Sequence, residues 1–130
     1  MINEIVYHGR ENHNMIPENV VFFSTDKAFS SDYGTVKQYT LNLNNPFGTC
    51  SKSDIEALIN NVGSLVDGYD DTEYLNYKSL DESGLLGSDT WELFERYMDN
   101  IKSMGYDGMI IYEGGTQNYV SFSNKLFKLQ

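Results

Sequence analysis

The side chains best suited to chemistry are few, and the first of them lies near the start of the chain. The sequence "EIVYHGREN" runs from an apolar strand pattern into His8 and Gly9. A histidine at the end of a strand can face a cleft, and a glycine after it lets a ligand approach the backbone closely. The alternative is that His8 is a structural residue whose hydrogen bonds are satisfied within the fold. The rest of the chain has to decide between the two interpretations.

Other catalytic chemistries find little support in the sequence. The chain has two histidines, His8 and His13, and one cysteine, Cys50, so we expect neither a metal site nor a disulfide. Cys50 has no histidine near it in sequence, which favours a structural residue over a nucleophile. The segment "EGGTQ" lacks the lysine of a phosphate-binding loop, and no glycine pattern leads from a strand into a helix. No serine sits in a nucleophile elbow.

Length and charge limit the class of protein. The 130 residues, of which 40% are hydrophobic, predict a single globular domain over residues 1–130. The net charge of −10, from 9 basic and 19 acidic residues, argues against direct binding of nucleic acid through its phosphates. It is compatible with a basic protein partner or with mimicry of the charge of a nucleic acid. We find no signal peptide or membrane-spanning segment and expect a cytoplasmic protein with no membrane partner.

Strand patterns at both ends enclose a helical middle, which indicates an α+β domain with mostly antiparallel sheets. In the strand over 36–47, Tyr39, Leu41 and Leu43 are predicted to share one face, and Asn45-Pro46 is predicted to stop the strand. Ser53 and Glu56 fit a capping box for the first middle helix. The other predicted elements are a strand at 5–7 that ends at His8, a strand at 20–24, a helix at 25–34, a second amphipathic helix at 89–104 capped by Asp89, and strands at 109–113, 119–123 and 125–129.

Three separated patches form a recognisable set. They are "YHG" at 7–9, "VVFFSTDKAFSSDYG" at 20–34 and "GYDGMIIYEGGTQNYVSFSNKLFKL" at 105–129. Together they resemble the ADP-ribosyltransferase superfamily in its His–Tyr–Glu branch, with the small domains of phage polyvalent proteins and an anti-CRISPR transferase as the nearest match. The resemblance covers roughly half of the chain. It implies two small, mostly antiparallel sheets that form an NAD cleft, with the middle helices packed alongside.

The resemblance also assigns roles to individual residues. His8 would hydrogen-bond the ribose beside the nicotinamide, and the backbone of Gly9 would hold the carboxamide. Ser24 ends the strand that precedes Tyr33, and Tyr33 would stack on the nicotinamide. The four residues together form the predicted cofactor-binding set.

The catalytic carboxylate is where this sequence departs from the family. The family's Glu matches Asn118, which lies just before Tyr119. An amide can hydrogen-bond a ribose hydroxyl but cannot stabilise a cation as a carboxylate does. A register shift would substitute Gln117, which supplies no charge either.

Either hairpin register across Gly114-Gly115 places Glu113 on the face of Asn118, so we predict that Glu113 provides the missing carboxylate. A solvated glutamate beside a turn is the alternative. Asp107 is a weaker candidate, because Asp-Gly before a strand is usually turn chemistry.

The resemblance therefore predicts a mono-ADP-ribosyltransferase that uses NAD to modify a host protein, as a phage counter-defence factor acting in the host cytoplasm. The alternative from another class is an inactive protein of the same fold that inhibits a partner by binding. NAD hydrolysis without a protein acceptor is a third possibility.

Overall fold

The computed structural model describes residues 1–10, 20–27, 35–68, 71–87, 90–113 and 115–130. It has one large, mostly antiparallel sheet with strand order β4-β7-β8-β2-β1-β3-β9 and a two-stranded sheet of β5 and β6. Among the strands of these described ranges, β4 and β7 are the one parallel pair. The strands are β1 Ile2–Arg10, β2 Val21–Ser24, β3 Thr35–Leu43, β4 Pro46–Gly48, β5 Leu65–Val66, β6 Glu73–Tyr74, β7 Gly108–Glu113, β8 Thr116–Ser121 and β9 Phe127–Leu129. The helices are α1 Lys52–Val62, α2 Tyr77–Glu82, α3 Trp91–Phe94 and α4 Met98–Ser103, with 3₁₀ turns at Leu85–Gly87 and Glu95–Tyr97.

The α+β class and the mostly antiparallel pairing are confirmed, but the expectation of two small sheets is corrected to one large sheet and one short hairpin. Seven of the nine strands join one sheet, because β2 pairs with both β1 and β8. The second sheet is a short hairpin of β5 and β6. The NAD cleft itself stays a prediction.

Two hydrophobic cores lie on opposite faces of the large sheet. The first is formed by buried residues of β4, β7 and β8 and by the helices, with Phe94 and Ile111 fully buried. The second contains Val6, Phe23, Tyr39 and Tyr119 on the other face.

The sheet curves around this second core. The Leu43 side chain at the end of β3 lies where a Cβ on Gly108 would be, although three strands separate β3 from β7. The rings of Phe23 and Phe127 likewise approach to 4.9 Å across two intervening strands.

The strand predictions hold with shifted bounds. Tyr39, Leu41 and Leu43 are all buried on one face, as the alternation predicts. His8 does not end its strand, because β1 pairs with β3 as far as Arg10. β3 ends at Leu43, just before Asn45-Pro46 as predicted, and Pro46 then begins the separate edge strand β4. An edge strand tolerates a proline, because a missing N–H on its outer side removes no hydrogen bond of the ladder. β8 begins and ends earlier than predicted, at Thr116 and Ser121, whereas β9 starts later than predicted and ends at Leu129 as expected.

The helix starts also differ from the prediction. Ser51, not Ser53, caps α1, and its Oγ accepts from the Asp54 N–H at 3.5 Å. Glu56 pairs instead with Lys52 at 3.8 Å. The helix expected over 89–104 is divided into α3, a 3₁₀ turn and α4. Its predicted cap, Asp89, and residues 28–34 of the helix predicted over 25–34 lie outside the described residues.

Thr90 explains why the helix starts late. Its side chain makes no capping bond and instead joins a buried hydrogen-bond chain. The Thr90 hydroxyl donates to Thr49 Oγ1 at 2.8 Å, and Thr49 donates to the Ile110 carbonyl at 2.9 Å. The Tyr112 N–H donates to Thr90 Oγ1 at 3.1 Å. The chain fixes α3 to the edge of the sheet.

Candidate functional site

The large sheet is nearly divided between β1 and β2. These strands share one paired position, Tyr7 with Ser24. By contrast, β1 pairs with β3 along its whole length, from Ile2 to Arg10. The sheet thus has a four-stranded half, β4-β7-β8-β2, and a three-stranded half, β1-β3-β9. Those predicted site residues that the structure describes lie on strands that border or neighbour this division.

His8 bridges the division. Its Nδ1 lies 2.6 Å from the Phe22 carbonyl oxygen, which only accepts hydrogen bonds, so Nδ1 carries the proton. The ring also lies against Phe23 and Tyr39, with centroid distances of 5.4 and 6.1 Å. The imidazole therefore joins β1 to β2 where the backbone ladder between them is sparse. This role corresponds to the second interpretation of His8 from the sequence, that of a structural residue.

Ser24 and Asn118 occupy neighbouring positions across β2 and β8. They are directly paired, and Asn118 is paired on its other side with Ile111. The Ser24 Oγ accepts from the Asp26 N–H at 2.9 Å. Asn118 is 1% exposed, and neither Nδ2 nor Oδ1 has a hydrogen-bond partner among the described residues. Since buried amides are nearly always hydrogen-bonded, this carboxamide is a polar group of the site with open capacity.

His8 and Asn118 point to different faces of the sheet. His8 shares the face of Val6 and packs on the second core. Asn118 shares the face of Ile111, whose side chain belongs to the first core. Gly9 follows His8 in β1, is buried, and pairs with Val36. The structure therefore places the predicted residues close together along the division without directing His8 and Asn118 into one pocket.

The hairpin after β7 has the shorter of the two predicted registers. Glu113 pairs with Thr116, and Ile111 pairs with Asn118. Glu113 and Asn118 thus share a face, as both registers predicted. The Glu113 side chain and the whole of Tyr33 lie outside what the structure describes, so their roles stay predictions.

The two other candidates considered for the carboxylate position are engaged elsewhere. Gln117 donates from Nε2 to the Tyr119 hydroxyl at 2.8 Å on the opposite face. Asp107 accepts from the Asn44 N–H at 2.7 Å and from the Asn45 N–H at 3.1 Å. Asp107 therefore fastens the β3–β4 connection to the start of β7. This agrees with the turn role expected of Asp-Gly.

A hydrogen-bond chain that the sequence does not reveal crosses the second core. The Tyr119 hydroxyl donates to Glu4 Oε2 at 2.9 Å, and the Tyr112 hydroxyl donates to Gln117 Oε1 at 3.3 Å. Burial, followed by the bond to Glu4, raises the pKa of Tyr119 to about 12. The chain fastens β7 and β8 to β1 across the division. Period-two alternation is the one signal that places Gln117 and Tyr119 on a common face, and it does not identify Glu4.

Cys50 behaves as a structural residue. Its Sγ donates to the Leu86 carbonyl at 2.9 Å, and burial raises the pKa of the thiol. A raised pKa lowers the thiolate fraction, which is the reactive form. Within the described ranges no group of three or more His, Cys, Asp or Glu side chains could hold a metal ion.

Most of the negative charge lies in the helical segment. Residues 51–107 hold thirteen Asp and Glu against four Lys and Arg, a net charge of −9 out of −10. Two of the four basic residues, Lys52 and Lys78, pair with Glu56 and Glu82 at 3.8 and 4.0 Å on the exposed surface. A groove of about 590 Å³ between α1 and the start of α2 also lies here, between Ile59 and Leu75. The helical side of the molecule is therefore an acidic surface.

Comparisons with known proteins give one likeness. No protein-family model matches the sequence. No curated protein matches it. The fold is similar to the crystal structure of an anti-CRISPR protein with a TM-score of 0.56 and 13% identity, over 99% of this chain and 96% of that one. No helix in the described part of this chain is long and apolar enough to cross a membrane. The chain thus shares the fold of an anti-CRISPR protein along its full length.

Proposed function

We propose that the protein is a counter-defence factor that modifies a protein in the host cytoplasm, using NAD as a mono-ADP-ribosyltransferase. Two observations support the proposal. Candidate residues from three distant parts of the sequence, His8, Ser24 and Asn118, come together where the sheet divides. The fold is that of an anti-CRISPR protein over the whole chain. The observation that carries the chemical part is the buried Asn118 carboxamide, which has open capacity to bind a ligand.

The hydrogen-bonding chemistry of the described residues suits a ribose at this position. A ribose hydroxyl both donates and accepts, and the Asn118 carboxamide offers one group of each kind. The Ser24 hydroxyl accepts from Asp26, which leaves its proton for a second hydroxyl. NAD, when bound, would supply the ADP-ribosyl group for transfer. The missing element is charge, because cleavage of a bond to ribose develops positive charge that an amide cannot stabilise. Glu113 shares the face of Asn118 and is the carboxylate that we assign to this task.

Calorimetric titration with NAD, together with transfer of label from NAD to host lysate, tests the proposal. We expect Glu113→Gln to reduce transfer by about 10²–10³ while NAD affinity is retained, as for loss of a contact made in the transition state. Glu95→Gln is the matched control, because Glu95 is exposed in the helical segment. Absence of NAD binding to the wild type would overturn the proposal.

A second candidate function is inhibition by binding alone, and the distribution of charge favours it. A surface with a net charge of −9 over residues 51–107 suits a protein groove that is basic because it binds nucleic-acid phosphates. Such a protein would compete with nucleic acid for the groove and would need no NAD.

The two functions are separable by experiment. Inhibition of a purified nucleic-acid-targeting defence complex is measured with and without NAD, at low and high salt. An electrostatic inhibitor acts without NAD and weakens as salt screens its charges. Neutralising exposed acids of the helical segment, as in Glu95→Gln with Asp99→Asn, then weakens inhibition. Inhibition that needs NAD and is indifferent to these substitutions contradicts the binding function.

A further inference from the structure

The side chain of Trp91 reaches across the large sheet. The residue before it, Thr90, donates its N–H to the Tyr112 carbonyl at 3.1 Å and accepts from the Tyr112 N–H at 3.1 Å. Since both backbone groups of Tyr112 bond to Thr90, Thr90 lies along β7 on the side away from β8. The Trp91 indole nevertheless contacts Phe22 on β2, with ring centroids 4.5 Å apart. Neighbouring strands lie about 4.8 Å apart, so the indole extends over β7 and β8 to reach Phe22.

This path brings the indole beside Asn118. Asn118 is paired with Ser24, so Phe22 is its diagonal neighbour on the same face of the sheet. Diagonal neighbours lie about 7–8 Å apart, which is within reach of an aromatic side chain. The row of Asn118 also lies between the row of Phe22 and the position of Tyr112, from which the indole starts. The two aromatic rings and the buried carboxamide therefore occupy neighbouring places on one face.

The cover over this face ends close to Asn118. Ser24 is 2% exposed, but Tyr7, which is paired with it across the division, is half-exposed. Ile5, the next residue of β1 on this face, is 54% exposed. Because Asn118 is buried, a ligand reaches its carboxamide only when a neighbouring side chain moves. Trp91 is a large, partly exposed side chain at this boundary, so it is suited both to move and to contact what enters.

An aromatic ring beside a carboxamide suits a flat ring that carries a sugar. Phe22 meets the indole at an angle of 85°, and in such an edge-to-face pair it covers at most one face of the indole. Flat heterocycles stack favourably on aromatic side chains. The carboxamide of Asn118 both donates and accepts, as a ribose hydroxyl requires. In a nucleoside the flat ring and the ribose are joined by one bond, so they would be held side by side.

We propose that Trp91 stacks on the ring that the ligand ribose carries, so that Trp91 and Asn118 form a nucleoside-binding site; this inference rests on the proposed function in taking NAD as the ligand. Both ends of NAD are nucleosides, one with a nicotinamide ring and one with an adenine ring. The two rings share the chemistry that the site offers, and separate mononucleotides distinguish them.

The fluorescence of Trp91 tests direct contact, because the chain has one tryptophan. Excitation at the red edge of tryptophan absorption excludes the signal of the ten tyrosines. We expect NAD to quench the emission of Trp91 and to shield the indole from acrylamide. Titration with nicotinamide mononucleotide and, separately, with AMP identifies the ring that stacks.

Substitutions measure the contribution of the ring by calorimetry with NAD. Trp91→Leu should weaken binding by about 5- to 100-fold, as for loss of a stacked aromatic, whereas Trp91→Phe should retain most of the affinity. Tyr77→Leu is the matched control, because Tyr77 is a partly buried aromatic that packs on the same core from α2 and lines the groove beside α1. It should leave binding unchanged. Far-ultraviolet circular dichroism verifies that each variant is folded.

The outcomes separate this site from the proposed function. NAD binding that leaves the emission of Trp91 unchanged, or that increases its access to acrylamide, overturns the site while the proposed function stands. Quenching by either mononucleotide without binding of NAD supports the site and contradicts the proposed function. If none of the three nucleotides binds, both are overturned.

Discussion

Replacing Asn118 by leucine should make the protein more stable. The Asn118 side chain is 1% exposed, and neither Nδ2 nor Oδ1 meets a hydrogen-bond partner among the described residues. Its neighbours on the same face, Ile111 and Val120, are fully buried members of the first core. Leucine has the same branched arrangement of heavy atoms as asparagine and carries no polar atom that needs a partner, although its two methyl groups occupy more space than the carboxamide. The substitution therefore exchanges an unsatisfied amide for a group that suits its surroundings.

The expected size of the effect follows from these contacts. Burial of an amide without compensating hydrogen bonds costs about 1–3 kcal/mol in protein mutational data. Asn118→Leu should recover this cost, offset in part by the larger volume of leucine, and raise the free energy of unfolding by about 1–2 kcal/mol. For a chain of 130 residues this corresponds to a rise in Tm of about 3–7 °C. The same variant should lose NAD binding, because a residue that lowers stability while serving a ligand is a common feature of functional sites.

Ser24 provides the matched control. It is 2% exposed and is paired with Asn118, but its Oγ accepts a hydrogen bond from the Asp26 N–H. Ser24→Ala removes that acceptor and should lower stability by about 0.5–1.5 kcal/mol, so the two substitutions act with opposite sign. Scanning calorimetry and urea denaturation measure both. A loss of stability in Asn118→Leu similar to that in Ser24→Ala would refute the reasoning, because it would mean that the Asn118 carboxamide has partners in solution.

Three further predictions concern the framework of the site. A Cβ on Gly108 would lie 2.2 Å from the Val120 carbonyl oxygen, so Gly108→Ala should displace β8 and cost about 3 kcal/mol in urea denaturation; a wild-type midpoint would contradict this close approach. Thr90→Val leaves the Tyr112 N–H without its acceptor and should cost about 1–3 kcal/mol, with faster hydrogen exchange at that amide, whereas Thr90→Ser should retain the bond. The pKa of Tyr119 is raised to about 12 in the fold from about 10 in an unfolded chain, so its neutral hydroxyl contributes stability that is complete below about pH 10 and is lost as pH rises towards 12. Denaturation midpoints of the wild type should therefore fall faster than those of Tyr119→Phe between pH 9 and pH 12, and equal slopes would exclude this linkage.

The sequence predicted the elements better than it predicted how they join. Alternation of Tyr39, Leu41 and Leu43 identified the buried face of β3, because strand period depends on the nearest residues alone. The joining of two expected sheets into one depends on a single paired position, Tyr7 with Ser24, and no local pattern encodes it. The late start of α3 has the same kind of cause, since Thr90 bonds to Thr49, which is far away in sequence. Tertiary hydrogen bonds therefore account for the differences between prediction and structure.

The candidate site was predicted by residue type and order but not by direction. The register of β8 against β2 brings Asn118 beside Ser24, and this pairing was not predicted, whereas the register of β8 against β7 is one of the two predicted for the hairpin. His8 was singled out for its position before a glycine, yet its proton is donated to the Phe22 carbonyl across the division of the sheet. A histidine held in this way fixes the separation between β1 and β2. Its contribution to a ligand site at the division would then be made through the spacing of the strands, with Asn118 as the group that contacts the ligand.

The two candidate functions use separate parts of the molecule, and this separation makes them independent. Asn118 and Glu113 lie on β8 and β7, whereas the acidic surface is concentrated in residues 51–107. Glu95→Gln with Asp99→Asn is therefore expected to leave NAD binding intact, while Asn118→Leu is expected to leave inhibition through the acidic surface intact. If instead either variant altered both properties, the helical segment and the sheet would have to move together. Thr90 bonds to Thr49 and accepts from the Tyr112 N–H, which fixes α3 to the sheet, so such coupling would pass through these contacts.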